Sequence, residues 1–190
     1  MTDTQSPAPS SIAAQAPVDG CSTRLRLVRE EDAEYIWGLR MDPAYNTHLS
    51  TVSGTAEDQR NWIRGYKLRE AAGTEYYFVI ERLDDGRRCG VVRVYGIADG
   101  AFTWGSWILD ANKPAKAALD AAMSIYRFAF DRLGLNRAVF DVRRNNERTL
   151  AFHDRFGGQR TGADEENIYY EIPVEKFRDL APNLTAALAQ

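Results

Sequence analysis

The sequence predicts a single domain built on a mixed α/β sheet. Three β-rich runs lie between residues 76 and 109 and are separated by turn signals, which indicates an antiparallel meander. A long helical pattern, a strand, a second helical pattern and a further strand follow. The 190 residues suffice for one such domain with a full core, and no internal repeat indicates a second domain.

The N-terminal segment, residues 1–22, is predicted to be a disordered tail. Most of it is rich in Ser, Thr, Ala, Gln and Pro and has almost no periodic apolar residues. Such a segment cannot bury enough apolar surface to offset the entropy of ordering. It also lacks the basic start, apolar run and cleavage site of a secretory signal. We therefore expect the domain to span residues 23–190.

The first half of the domain is predicted to contain one strand and two helices. Residues Arg24–Val28 alternate charged and apolar side chains, and the acidic residues 30–32 suit the start of a helix. This helix ends at Asp42, because the residue before a proline is disfavoured in the α region. After a polar loop, Thr55 stands at the N-cap position of a second helix, with Asp58 three residues later.

The second half is predicted to begin with the meander and to end with alternating helices and strands. The predicted strands are Tyr76–Ile80, Cys89–Tyr95, Phe102–Leu109, Ala138–Val142 and Ile168–Ile172. The predicted helices are Ala118–Leu133, closed by Gly134, and Asn145–Arg155, closed by Gly157. A weaker helical pattern covers residues 174–188.

Composition and charge argue against several classes of function. A net charge of −3 does not suit a nucleic-acid binder that relies on phosphate neutralisation. The two histidines, His48 and His153, are far apart, and no Cys/His cluster has the spacing of metal ligands, so no metal is predicted. No segment has the roughly 18 apolar residues of a membrane span. We expect a cytoplasmic protein with a small-molecule partner, and the sequence leaves a homodimer open.

Residues Asp141–Gly157 form a strand, an asparagine, a helix, an aromatic residue and a glycine, which resembles a pattern of the Gcn5-related N-acetyltransferases (GNAT). The junction Trp104–Phe130 fits the same family, and the resemblance spans residues 25–172. Its nearest branches are the ribosomal-protein and aminosugar-nucleotide acetyltransferases. The resemblance implies one mixed, mostly antiparallel sheet with a splayed central strand pair and flanking helices. It also implies an acyl-CoA-dependent N-acyltransferase that acts on an amine.

The same resemblance implies where acetyl-CoA, or another acyl-CoA, would bind. Ile108 and Leu109 would hydrogen-bond the pantetheine arm through their backbone groups. The pyrophosphate would lie on the loop and helix start formed by Lys113, Ala115, Lys116, Ala117 and Ala118. Lys116 stands where the family has a glycine, and it would either crowd the phosphates or supply a charge to them. Without the family context, this stretch also reads as an ordinary helix start.

Two further residues match family positions near the thioester. Asn146 matches an asparagine that reaches the cofactor arm, although Asn is also a preferred N-cap. His153 stands where many relatives have a tyrosine that protonates the departing CoA thiolate. An imidazolium of pKa about 6.5 can protonate a thiolate of pKa about 8.5, so we predict His153 as the acid. The alternative is a histidine packed on a helix face. For the base, His48, Glu147 and a water chain stay open.

The acceptor region resembles that of enzymes which acetylate the 4-amino group of nucleotide-linked aminosugars. Aromatic side chains stack on a base or a sugar, and polar ones contact hydroxyl or phosphate groups, but core packing explains aromatic residues equally well. The residues predicted to bind the acceptor are His48, Gln59, Trp62, Tyr66, Tyr77 and Trp104. Two alternatives remain: acetylation of a protein N-terminus, and a non-catalytic module that kept the fold but lost efficient acetyl-CoA binding.

Overall fold

The computed structural model describes residues 17–47, 49 and 53–189. Within these residues, eight strands form one mixed sheet in the order β1-β2-β3-β4-β5-β6-β8-β7. The strands are β1 (Val18–Asp19), β2 (Thr23–Leu27), β3 (Tyr76–Arg82), β4 (Arg88–Ala98), β5 (Ala101–Leu109), β6 (Arg137–Arg143), β7 (Gln159–Ala163) and β8 (Asn167–Pro173). The predicted fold class is therefore confirmed.

Helices flank the sheet on both faces. They are α1 (Ala33–Met41), α2 (Pro43–Asn46), α3 (Ala56–Ala71), α4 (Ala117–Arg127), α5 (Glu147–Arg155) and α6 (Val174–Ala189). Helices α1 and α3 pack on one core cluster, whereas α4, α5 and α6 pack on a larger aromatic one. The predicted cap of α3 is present: Thr55 and Asp58 form a reciprocal capping box.

The centre of the sheet opens between β5 and β6. These strands are parallel, but they pair only at Ala101 with Arg137 and at Phe102 with Ala138. Beyond those pairs the strands diverge, as the family resemblance implied for the central pair. The other strand pairs in the described residues are antiparallel. The opening therefore lies at the one parallel junction.

A β-bulge lies in β5 beside this opening. Arg93 of β4 pairs with Gly105 and Val91 pairs with Ile108, so two residues of β5 face one residue of β4. The first of these two, Ser106, has a left-handed backbone with φ of 48°. A bulge bends its strand and removes backbone groups from the regular ladder. It therefore shapes the wall of the opening.

The structure corrects the sequence predictions in three places. Val18–Asp19 form β1, although they lie within the segment predicted as a disordered tail, because residues 21–23 are held by the buried carboxylate of Asp120. Residues 1–16 of that segment lie outside the described residues. The short helix α2 was not predicted. Strand β7 was not predicted either, because its residues are all exposed and lack an apolar alternation.

Candidate active site

A cleft of about 480 Å³ occupies the opening between β5 and β6. Its lining residues come from both strands, from Tyr95 of the neighbouring β4, from the N-cap and body of α5, and from the α1–α2 region. They are Arg40, Tyr45, Leu49, Tyr95, Thr103, Trp104, Gly105, Ser106, Trp107, Phe140, Asp141, Val142, Arg143, Asn146, Thr149 and His153. This volume lies in the range typical of small-molecule sites.

Strand alternation divides the cleft into two chemically different faces. Phe140 and Val142 of β6 are buried in the aromatic core, so the residues between and after them point the other way. We call the first side the aromatic face; it is formed by Trp104, Trp107, Phe140 and His153. The opposite side, which we call the charged face, is formed by Arg40, Tyr95, Asp141 and Arg143.

His153 is enclosed by aromatic rings on the aromatic face. Its ring lies 4.4 Å from that of Phe140 and 5.4 Å from that of Trp104, measured between centroids. The side chain is buried, and among the described residues its Nδ1 has no hydrogen-bond partner. Burial lowers the pKa of His153 to about 4, and nearby Asp154 opposes this only in part. The imidazole is therefore neutral at neutral pH.

This pKa bears on the acid role that the sequence suggested for His153. A neutral imidazole is a poor proton donor, so the imidazolium acid predicted from an ordinary pKa is scarcely populated in the free protein at pH 7. One ring nitrogen of a neutral imidazole nevertheless carries a proton and can donate a hydrogen bond. His153 thus lines the cleft, and in the neutral form that burial favours it can donate a hydrogen bond there.

Asn146 has one of the two roles that the sequence left open, that of the N-cap, and it lines the cleft in which the other role would be exercised. Its side-chain oxygen accepts a hydrogen bond from the backbone N–H of Thr149 at 3.2 Å, which makes it the N-cap of α5. It also lines the cleft beside β6. The cap fixes the start of the helix that carries His153. Asn146 therefore helps to position His153 in the cleft, and its own side chain is also exposed to the cleft.

A second cavity, of about 510 Å³, lies at the N-terminus of α4. We call it the loop cavity. Its lining includes the residues predicted for the pyrophosphate, Lys113 and Ala115–Ala118, together with Leu109. Trp107 and Thr149 line both cavities, so the cleft and the loop cavity are adjacent. The first backbone N–H groups of a helix have no intrahelical acceptor, which makes this end suitable for an anion.

Lys116 adopts a left-handed backbone conformation, with φ of 59° and ψ of 11°, at the N-cap of α4. Its Nζ donates a hydrogen bond to the carbonyl of Ala187 in α6 at 2.7 Å. The long side chain is exposed and its amine is engaged by the C-terminal helix. The two roles predicted from the sequence, crowding the phosphates or supplying a charge to them, stay predictions, and the structure adds this contact with α6.

Ile108 and Leu109 lie on opposite sides of β5, because successive residues of a strand point to opposite faces. Ile108 is buried in the smaller core cluster and does not line the cleft, whereas Leu109 lines the loop cavity. In the ladder they are paired with Val91 and Gly90 of β4. Among the described residues, no strand pairs with this part of the β5 edge that faces β6, so its backbone groups can hydrogen-bond an extended ligand.

Most of the residues predicted to bind the acceptor lie behind the cleft. Tyr66 is fully buried; its hydroxyl bonds to Glu70 and accepts the backbone N–H of Tyr77 at 2.7 Å. Trp62 stacks on Tyr66, with ring centroids 5.8 Å apart. Neither these residues nor Tyr77 and Gln59 line the cleft, because the aromatic side of α3 packs against the sheet.

The remaining two predicted acceptor residues have different outcomes. Trp104 lines the cleft on its aromatic face, and its Nε1 donates a hydrogen bond to the hydroxyl of Tyr126 at 3.0 Å. His48 lies outside the described residues. Sequence reasoning missed the charged face altogether. The alternation of Asp141 and Arg143 with apolar Phe140 and Val142 was the signal that could have identified it.

Comparison with known proteins identifies the family. A family model described as an acetyltransferase (GNAT) domain matches residues 23–159. The chain belongs to this GNAT family. No curated protein matches the chain. A solved structure of apo FdhC, a nucleotide-linked sugar GNAT, is similar to it, with 39% identity over 88% of this chain and 96% of that one and a TM-score of 0.83.

More distant GNAT structures share the fold. One is a GCN5-related N-acetyltransferase from Brucella melitensis, with 17% identity over 92% of this chain and 86% of that one and a TM-score of 0.75. Another is a ribosomal-protein-S5-alanine acetyltransferase from Vibrio fischeri, with 16% identity over 86% and 99% and a TM-score of 0.72. The GNAT enzyme is thus an N-acetyltransferase rather than the non-catalytic module considered above.

GNAT enzymes use an acyl-CoA as cosubstrate, and the cavities of this GNAT enzyme fit one. The loop cavity offers a helix N-terminus for phosphates, and its connection to the cleft passes Trp107. In the described part of the chain, Trp107 Nε1 and His153 Nδ1 are buried without hydrogen-bond partners. Buried polar atoms normally have partners, so both are candidates to contact a bound ligand.

Two further features are absent from the described residues of the enzyme, a cluster of metal ligands and a membrane-spanning helix. No group of three or more His, Cys, Asp or Glu residues there could hold a metal ion. None of the helices in residues 17–47 and 53–189 has the length and apolar character needed to cross a membrane.

Proposed function

We propose that this GNAT enzyme transfers an acetyl group from acetyl-CoA to the amino group of a nucleotide-linked aminosugar. The observation that carries the proposal is the charged face of the cleft, which presents Asp141 together with Arg40 and Arg143. A carboxylate attracts a sugar ammonium, and guanidinium groups bind phosphate oxygens. Similarity to FdhC, a nucleotide-linked sugar GNAT, supports the same acceptor class.

The two faces of the cleft would bind different substrates. The loop cavity and the aromatic face would take acetyl-CoA, which supplies the activated acyl group as a thioester. The backbone groups displaced by the bulge at Ser106 would stabilise the developing oxyanion. His153, still the proposed partner of the sulfur, would donate a hydrogen bond to the departing thiolate. The charged face would hold the acceptor amine.

An acceptor screen tests this proposal. Purified enzyme and acetyl-CoA are incubated with nucleoside diphosphate-linked aminosugars, the free aminosugars, a polyamine and a peptide with a free N-terminus. Thiol release is followed by absorbance and the acetylated product by mass spectrometry. We expect turnover of the nucleotide-linked aminosugars with a kcat/KM at least tenfold above that of the free aminosugars, because only the former offer phosphates to the arginines.

The screen also defines what would contradict the proposal. Acetylation of the peptide in preference to every sugar would favour the protein N-terminus alternative instead. Equal turnover of free and nucleotide-linked aminosugars would show that the phosphates are not recognised. A matched hydroxyl sugar, with the amine replaced by oxygen, serves as the control for acetylation at nitrogen.

A further inference from the structure

The position of Asp141 follows from the register of the open strand pair. The last paired residues are Phe102 of β5 and Ala138 of β6, and the strands are parallel. Counting forward equally along both strands places Asp141 level with Gly105, immediately before the bulge residue Ser106. Asp141 is therefore level with the bulge, on the far side of the cleft from it.

The side chain of Asp141 points away from the aromatic core. Its neighbours Phe140 and Val142 are buried there, whereas Asp141 is exposed and lines the cleft. Within the described residues, no group donates a hydrogen bond to its carboxylate and no cation lies within ion-pair distance of it. Arg143, two residues on, pairs with Glu166 instead. Asp141 thus offers an uncommitted carboxylate to a ligand.

The groups around Asp141 come from three elements besides β6. Tyr95 faces the cleft from β4, Tyr169 is its ladder partner in β8, and Arg40 lines the cleft from α1. Burial raises the pKa of Tyr95, and the charge of Asp141 raises it further. Asp141 also contributes to the raised pKa of Tyr169. Both tyrosines are therefore neutral at neutral pH, and Arg143 and Arg40 are the cations of this face.

We propose that Asp141 binds the ammonium group of the acceptor and is the general base of the reaction. This rests on the N-acetyl transfer chemistry of the family and does not require that the acceptor be a sugar. The carboxylate takes one proton from the ammonium, and the freed lone pair on nitrogen attacks the thioester carbon. The C–N bond forms and the C–S bond breaks. The second nitrogen proton is lost as the thiolate leaves, and the sulfur ends protonated.

Two other titratable residues, Glu147 and His153, are less well placed to act as the base, and His48 lies outside the described residues. Glu147 is exposed at the first turn of α5 and does not line the cleft. His153 lies on the aromatic face among rings that favour its neutral form but also make it a weak base. A carboxylate on the charged face is on the side from which an amine can enter without displacing the aromatic packing.

The test compares Asp141→Asn with Asp141→Glu and with Asp131→Asn, a control at an exposed carboxylate beyond α4. The acceptor is whichever amine in the screen above is turned over fastest, and thioester hydrolysis by water without amine is measured in parallel. Acetyl-CoA affinity is determined by calorimetry. Rates are recorded from pH 6 to pH 10, because a free amine at high pH no longer needs a base.

For Asp141→Asn we expect kcat/KM to fall about 100-fold or more at pH 7, with acetyl-CoA affinity unchanged. The deficit is expected to shrink as the pH approaches the pKa of the amine, and Asp141→Glu should recover part of the rate. A loss below threefold would overturn the proposal. So would a loss of the same factor at every pH, which would indicate a structural role. Peptide or polyamine turnover that depends on Asp141 would support the base while removing the aminosugar proposal.

Discussion

At the scale of single residues, Lys116 is the clearest departure from the family pattern, and its backbone explains why glycine is usual there. A φ of 59° places Cβ close to the following carbonyl, at a cost of about 1 kcal/mol that glycine avoids. Here the lysine is retained with its amine on the carbonyl of Ala187. The hydrogen bond to α6 therefore offsets part of the conformational cost of the left-handed backbone at Lys116.

Replacing Lys116 with glycine or with methionine separates the backbone strain at this position from the hydrogen bond of its amine. We expect Lys116→Gly to be about 1 kcal/mol more stable than Lys116→Met, because methionine keeps the backbone strain and both variants lose the amine. Urea unfolding of the two variants measures this difference. Calorimetric titration with CoA then compares affinities, and we expect the glycine variant to bind at least as tightly. A glycine variant that is the less stable of the pair would contradict this account of the loop.

His153 gives the protein a specific dependence of stability on pH. Its pKa is about 4 in the folded chain, against about 6.5 when unfolded, so the unfolded chain binds a proton more readily. Stability from this residue is complete above pH 6.5 and falls as the pH drops towards 4, by up to about 3 kcal/mol. Urea unfolding at pH 7.0, 5.5 and 4.5 should show this loss in the native protein and not in His153→Phe.

The variant His153→Phe also tests whether His153 takes part in the reaction. We expect His153→Phe to retain acetyl-CoA binding and to lose turnover about tenfold or more, because phenylalanine fills the aromatic site but donates no hydrogen bond. Unchanged turnover would remove His153 from the reaction. If the free energy of unfolding of His153→Phe varied with pH as that of the native protein does, the imidazole of His153 would be hydrated in solution rather than buried.

At the scale of elements, Asp120 joins the first turn of α4 to the strand pair at the edge of the sheet. Its buried carboxylate accepts the backbone N–H groups of Cys21, Ser22 and Thr23 and the hydroxyl of Thr23, at 2.8–2.9 Å. Helix α4 also carries the loop cavity at its N-terminus. The residues before β2 thus help to fix the helix on which the cosubstrate would rest.

Breaking this connection should release the edge of the sheet. We expect Asp120→Asn to lower the free energy of unfolding by about 2–3 kcal/mol, because the new amide N–H₂ faces N–H donors and the charge that they solvated is lost. Asp131→Asn, at an exposed position beyond α4, is the matched control and should change stability by less than about 0.5 kcal/mol. Faster proteolysis within residues 17–23 would accompany the loss. Equal stability of the two variants would refute the anchoring role.

The helices and strands differ in how far a short stretch of sequence predicts them. The capping box of Thr55 and Asp58 is a signal within four residues, and helix α3 begins where it predicts. Strand β7 has only exposed residues, so no periodic signal exists for it. The parallel, diverging arrangement of β5 and β6 depends on distant segments, and only the family resemblance supplied it.

At the scale of the whole molecule, the site was harder to predict than the fold. Tyr66 and Trp62 have the residue types of a sugar platform, but Tyr66 is buried against the sheet and neither residue lines the cleft. The alternation around Asp141 assigns it only to the polar side of its strand, and the opening of the sheet is what brings it level with the bulge. Local periodicity shows which face of a strand a side chain is on, but which faces line a cleft depends on how the elements pack.

The contact between Lys116 and Ala187 has a practical consequence for handling the enzyme. An affinity tag or surface linkage fused behind α6 would begin within a few residues of the loop cavity and would compete for the space beside it. The carbonyl of Pro17 is instead held by Arg132, beyond the opposite end of α4. Attachment through the N-terminal side should therefore leave nucleotide access undisturbed, whereas C-terminal immobilisation should weaken CoA binding on a sensor surface.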